Sequence, residues 1–131
     1  MLDLFALFDE YERVLLISPA ITRFSVLKRR VVEREGYIRI RAELVEGGLF
    51  EVSEFWRETG NDETIRSEYS YHWQNTDGQL VRRWDNVKHH QELPNALHHV
   101  HLADGQVEGI QSPPDLEAIL REIEGHLGIN S

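Results

Sequence analysis

The stretch that decides the fold is YSYHWQNTDGQLVRRWDN, at residues 69–86. The spacing of aromatic and β-branched residues on both sides of Asp77-Gly78 is typical of paired strands, and glycine accepts the positive φ that a tight hairpin turn demands. The stretch therefore predicts a β-hairpin. Together with the residues up to His101, it holds all but one of the seven histidines and two of the three tryptophans. Any chemical site is expected here.

Two registers of this hairpin remain open, because the sequence does not fix the length of its loop. A two-residue loop at Asp77-Gly78 would pair His72 with Arg83. A three-residue loop with a glycine bulge would pair His72 with Arg82 instead. In both registers an arginine faces His72, and an imidazole beside a cation is a candidate for proton transfer.

The rest of the chain predicts a sheet and two helices. Apolar residues recur at helical spacing from Asp3 to Ile17 and from Leu116 to Leu127. Between them, residues 37–44, 49–57 and 64–74 alternate with period two and are joined by turns. The predicted fold class is α+β, with a curved antiparallel meander of five to six strands. The N- and C-terminal helices pack on one face of this sheet, which leaves the other face free for a ligand.

Two finer predictions concern the site. Residues 87–102 predict a polar, histidine-rich connection without clear structure, which is more often functional than idle. The strand at residues 64–74 should direct alternate side chains to opposite faces. One face would carry Ile65, Tyr69, Tyr71 and Trp73, and the other Arg66, Glu68, Ser70 and His72.

Length and composition limit the function classes. The 131 residues suit one domain, residues 1–131. Because there is no cysteine, disulfides and thiolate zinc sites are excluded. The net charge of −9 comes from the two ends, so the balanced middle can still present a positive face to phosphate. Neither a basic leader nor a long apolar run is visible, so we expect a cytoplasmic protein with no membrane partner.

The hairpin and the histidine pairs resemble the TumE family of bacterial and archaeal toxin–antitoxin toxins. The matching text is GYIRIR at 36–41, YSYHWQ at 69–74, RWDN at 83–86 with His89-His90 after it, and HHVH at 98–101. One departure is Val87-Lys88, where Ala-Pro is expected. The resemblance implies a small cytoplasmic toxin that a cognate antitoxin neutralises by direct contact. That antitoxin is usually a helix-turn-helix protein.

The first hypothesis for the mechanism is RNA cleavage without a metal or other cofactor. This chemistry needs a base for the 2′-hydroxyl proton, an acid for the leaving oxygen and cations for the phosphate. The candidate catalytic residues are His72, His89, His90 and Asp85. Tyr and Trp rings would stack on splayed bases. The candidate substrate-binding residues are Tyr71, Trp73, Arg82, Arg83, Trp84, Arg39 and Arg41.

Two other hypotheses stay open at this point. A metal-binding protein could use the imidazoles and one carboxylate of the connection. These ligands would be His89, His90, Glu92, His98, His99 and His101. Alternatively, the protein could act without chemistry by occupying a cellular target or a partner's surface, for which an aromatic and arginine-rich sheet is well suited.

Overall fold

A computed structural model describes residues 3–86 and 98–129, which form two helices and one antiparallel sheet. Helix α1 is Leu4–Ile17 and helix α2 is Leu116–His126. The strands are β1 Ile21–Val32, β2 Glu35–Leu44, β3 Leu49–Glu58, β4 Thr64–Gln74, β5 Leu80–Asp85, β6 His99–Leu102 and β7 Val107–Gly109. They neighbour one another in chain order, and each pair is antiparallel. The predicted α+β meander is confirmed.

Both helices begin at an aspartate that caps them. A carboxylate oxygen of Asp3 accepts a hydrogen bond from the Phe5 backbone N–H at 2.9 Å, and one of Asp115 accepts from that of Ala118 at 2.8 Å. Such caps satisfy backbone donors that a helix leaves unpaired. Helix α1 ends at Ile17, as predicted; Ser18 precedes Pro19, and the residue before a proline avoids the helical region. Neither of the described helices is long and apolar enough to cross a membrane.

One hydrophobic cluster joins both helices to a single face of the sheet. Phe8 and Leu15 of α1 and Ile123 of α2 are fully buried in it. The sheet contributes the alternate residues Ile38, Ile40, Phe50, Val52, Tyr71, Trp73 and Trp84. Both helices therefore cover the same face, as predicted. We call the other side of the sheet the open face.

The β4–β5 hairpin combines features of both predicted registers. Its loop is Thr76-Asp77-Gly78, closed by the Asn75 backbone N–H donating to the Gln79 carbonyl at 2.9 Å, with Gly78 at φ 78°. A bulge then leaves Val81 without a partner in the ladder and shifts the register by one residue. His72 consequently pairs with Arg83, which is the register expected of the shorter loop.

The sheet has seven strands rather than the predicted five to six. The additional strand is β6, His99–Leu102, which falls inside the stretch that was predicted to be an unstructured connection. It pairs with β5 on one side and β7 on the other. The short run escaped prediction because His99 is buried beside a carboxylate rather than in an apolar layer. Hydrophobic alternation alone does not reveal such a strand.

A second bulge, in β4, overturns the predicted position of Arg66. The partner of Phe55 is Glu68 and that of Trp56 is Arg66, so Ser67 is the extra residue. Because one inserted residue exchanges the faces of all side chains before it, Arg66 turns toward the helices. Glu68, Ser70 and His72 remain on the open face, as expected.

Candidate functional site

Three side chains of the open face stand side by side on adjacent strands. His72 of β4 pairs with Arg83 of β5, and Arg83 pairs with His101 of β6. Since neighbouring strands lie about 4.8 Å apart, β4 and β6 are about 10 Å apart, with Arg83 between them. Two imidazoles thus flank one guanidinium. We call these three residues the His–Arg–His row.

A buried carboxylate, that of Asp85, holds two members of this row. Its Oδ2 accepts a hydrogen bond from Nε of Arg83 at 3.0 Å and lies 3.2 Å from Nε2 of His101. Its Oδ1 lies 3.4 Å from Nδ1 of His99. The side chains of Asp85 and His99 are 0% exposed. The carboxylate therefore lies against both the cation and one imidazole of the row. The sequence analysis named Asp85 as a candidate catalytic residue.

The ring of His72 is oriented by its own strand. Its Nε2 lies 3.0 Å from Oε1 of Gln74. This contact restrains the rotation of the imidazole about its side-chain bonds. Nδ1 is buried and has no hydrogen-bond partner in the described part of the chain.

A cavity of about 240 Å³ opens on the same face beside His72 and Arg83. Arg39 lies in its wall, and the neighbouring Arg41 donates through Nε to Glu51 at 2.6 Å. The cavity is large enough for a phosphate group and has polar walls. Its full lining is Tyr37, Arg39, Glu51, Val52, Ser53, Ser70, His72 and Arg83.

The rings predicted to stack on bases lie in the core instead. Tyr71, Trp73 and Trp84 are 0%, 2% and 5% exposed, on the face that the helices cover. Stacking on a base needs a free ring face, so the prediction that these three residues bind substrate is wrong. They are core residues. The same aromatic alternation that predicted the strands also selects the rings that fill the core.

Arg82 also lies apart from the row. Adjacent residues of a strand point to opposite faces, and Arg82 is an exposed side chain with a guanidinium nitrogen 3.5 Å from Glu122 of helix α2. We therefore remove Arg82 from the predicted substrate-binding set. His89 and His90 lie outside the described residues.

The sequence analysis missed a polar cluster on the helix side of the sheet, centred on Glu54. This carboxylate is 1% exposed and accepts hydrogen bonds from the Tyr11 hydroxyl at 2.6 Å, from Nε1 of Trp56 at 2.7 Å and from the Tyr71 hydroxyl. Arg66 approaches it at 3.5 Å. Burial and the neighbouring Glu54 charge raise the pKa values of Tyr11 and Tyr71. The sequence signal that could have revealed this cluster is Glu54 itself, a charged residue that follows Phe50 and Val52 on the buried side of β3.

Tyr69 and His98 extend this cluster toward β6. The Tyr69 hydroxyl lies 3.0 Å from Nδ1 of His98, and the guanidinium carbon of Arg66 lies 4.3 Å from the Tyr69 ring centroid. Burial raises the pKa of Tyr69 to about 12. Burial, with the nearby Arg66 and His99, lowers the pKa of His98. Both groups are therefore neutral near pH 7, which suits a hydrogen bond between them.

A metal site needs several ligating side chains close together. Residues 3–86 and 98–129 contain no group of three or more His, Asp or Glu side chains that could hold a metal ion. His89, His90 and Glu92 of the predicted ligand set lie outside these ranges. His98, His99 and His101 are instead seen beside Tyr69 and Asp85.

Comparison with known proteins identifies the family. The family model described as toxin TumE matches residues 11–127, which is most of the chain. No curated protein and no solved structure matches the sequence. The matched region includes the His–Arg–His row, Asp85 and both sides of the sheet. The chain therefore belongs to the TumE family, the toxin components of toxin–antitoxin systems.

Proposed function

We propose that this toxin cleaves RNA without a metal ion, by acid–base chemistry on the open face. The observation that supports the proposal most strongly is the His–Arg–His row, with Asp85 hydrogen-bonded to its arginine and close to one of its imidazoles. Two imidazoles can act as base and acid, while the guanidinium between them binds the phosphate. These are the three functions that the reaction needs.

The reaction breaks one P–O bond and forms another. One imidazole removes the proton of the 2′-hydroxyl, and the freed oxygen attacks the adjacent phosphorus. The 5′-oxygen leaves and takes a proton from the second imidazole, so that a 2′,3′-cyclic phosphate and a 5′-hydroxyl form. His72 and His101 are the proposed pair. Arg83 stabilises the negative charge that develops on the phosphorus oxygens.

Asp85 is proposed as a positioning residue. Because its Oδ2 lies close to both Arg83 and His101, the guanidinium and the imidazole keep a fixed spacing without support from substrate. Such preorganisation removes part of the entropic cost of assembling a site. His89 and His90 stay in the proposal as alternative sources of the second imidazole, since residues 87–97 join the strands that carry Arg83 and His101.

Arg39 and Arg41 are proposed to bind phosphates next to the one that is cleaved. Both are exposed on the open face, and both lie near the Glu51 carboxylate. Membership of a toxin family implies an antitoxin partner. We propose that this antitoxin is a helix-turn-helix protein that covers the positive part of the open face with acidic or apolar residues. Opposite charges would speed its association at low salt.

Induction of the chain in cells tests the proposal. We expect growth arrest together with cuts in cellular RNA for the parent, and neither for His72→Ala at equal protein levels. His126→Ala is the matched control, because His126 is an exposed residue of α2 on the other side of the sheet. Arrest with intact RNA would overturn the cleavage proposal and favour the alternative, a toxin that acts by occupying its target.

A further inference from the structure

A larger cavity, of about 940 Å³, lies on the open face at the end of the β1–β2 hairpin. We call it the hairpin groove. Its lining includes four cationic side chains and two aromatic rings: Lys28, Arg30, Arg34, Arg39, Tyr37 and Phe55. Glu33 and Glu35 are the acids that also line it, so positive charges exceed negative ones by four to two. None of the residues that line only this groove belongs to the His–Arg–His row.

Three of these cations have no ion-pair partner in the described part of the chain. Lys28, Arg30 and Arg34 are exposed, and no carboxylate of residues 3–86 or 98–129 lies within 4 Å of their charged nitrogens. Arg29, between two of them, turns to the helix side and contacts Asp9 of α1 at 2.7 Å. In a protein of net charge −9, three exposed cations without an ion-pair partner among the described residues form a surface suited to an anionic ligand.

The two aromatic rings of the hairpin groove favour a ligand that has flat, unstacked rings of its own as well as negative charge. The centroids of Tyr37 and Phe55 lie 6.2 Å apart, and both side chains are partly exposed. Nζ of Lys28 lies 5.5 Å from the Tyr37 centroid. Cations beside accessible rings are typical of surfaces that bind single-stranded nucleic acid, because phosphates meet the cations and unstacked bases meet the rings. A polypeptide segment made of acidic residues alone would use only the cations.

The hairpin groove adjoins the cavity beside the row. Tyr37 and Arg39 line both cavities, whereas His72 and Arg83 line only the smaller one. We infer that the hairpin groove binds the single-stranded RNA that flanks the cleaved phosphate. This inference rests on the proposed function for the identity of the ligand. A duplex is disfavoured, since its stacked bases cannot reach Tyr37 and Phe55.

Binding can be measured apart from cleavage with a fluorescein-labelled 2′-O-methyl oligouridylate, which lacks the attacking hydroxyl. We expect the triple variant Lys28→Ala/Arg30→Ala/Arg34→Ala to bind it at least tenfold more weakly than the parent. Three lost phosphate contacts should also lower the slope of log affinity against log salt by about 2. Tyr37→Leu should weaken binding at low and high salt alike, because a stacking contact releases no counterions.

The matched control is Arg13→Ala/Arg82→Ala/Arg121→Ala, which removes the same charge from exposed positions away from the open face. Equal affinities for the two triple variants, each checked for a parent-like unfolding temperature, would overturn the inference. So would tighter binding of duplex RNA, or displacement of the RNA by polyglutamate at equal charge. A parent that binds the probe through the groove but cuts no RNA would overturn only the cleavage proposal.

Discussion

Arg83→Ala is expected to lower the rate of RNA cleavage by about 10²–10³-fold, the usual effect of losing one donor that stabilises transition-state charge. Arg82→Ala should leave the rate within about twofold, as a surface change away from the site does. The two arginines are adjacent in sequence and lose the same atoms on mutation. They differ in the face they occupy, since Arg83 contacts Asp85 and Arg82 approaches Glu122 of α2.

The histidines of the row extend this prediction. His72→Ala and His101→Ala should each cost about 10²–10⁴-fold, the usual effect of losing one acid–base group. Groups that act together are not additive, so the double variant should be little slower than the slower single variant. Cleavage rates of purified, folded variants on one RNA substrate provide the measurement. Equal losses for Arg82→Ala and Arg83→Ala would show that the open face is not the reacting face.

Glu54→Ala is expected to give the largest loss of stability, about 3–5 kcal/mol. The substitution leaves Arg66, whose side chain is 13% exposed, without its carboxylate partner. It also removes the acceptor used by Tyr11 and Trp56. Buried donors that lose their acceptor bear the full cost of desolvation. Urea unfolding, monitored by tryptophan fluorescence, measures the change in the free energy of unfolding.

Glu51→Ala is the control for this stability effect. Glu51 lies on the same strand but on the open face, is 23% exposed and pairs with Arg41 at 2.6 Å. An ion pair of this exposure contributes about 0–1 kcal/mol to the free energy of unfolding. Glu54→Gln, which keeps one acceptor oxygen but loses the charge, should fall between the two. A cost below about 1 kcal/mol for Glu54→Ala would contradict the structural role of the buried cluster.

Much of the fold follows from the sequence because its elements are long and periodic. Helices α1 and α2 end at residues that cap or break them, and β2 alternates without interruption from Gly36 to Leu44. The His72–Arg83 pairing was one of two predicted registers. Its choice depends on the unpaired Val81, and a bulge of this kind follows from twist and packing across the sheet rather than from local residue preference.

The site was less accessible to prediction, for two physical reasons. First, the bulge at Ser67 turns Arg66 to the helix side, and no period-two pattern reveals an inserted residue. Second, an aromatic ring can either fill the core or stack on RNA, and the sequence does not say which. Burial beneath the helices places Tyr71, Trp73 and Trp84 in the core. His101 entered only the metal hypothesis, because its place beside Arg83 depends on strand β6.

The central claim is that the open face cleaves RNA by acid–base chemistry. The most direct test incubates the purified toxin with RNA in excess chelator and determines the ends of the products. We expect 2′,3′-cyclic phosphate and 5′-hydroxyl ends, and no cutting of an otherwise identical substrate made of 2′-deoxynucleotides. The claim would be contradicted if the purified toxin left the RNA uncut although its induction in cells still arrests growth. Cleavage of the deoxy substrate would also contradict it.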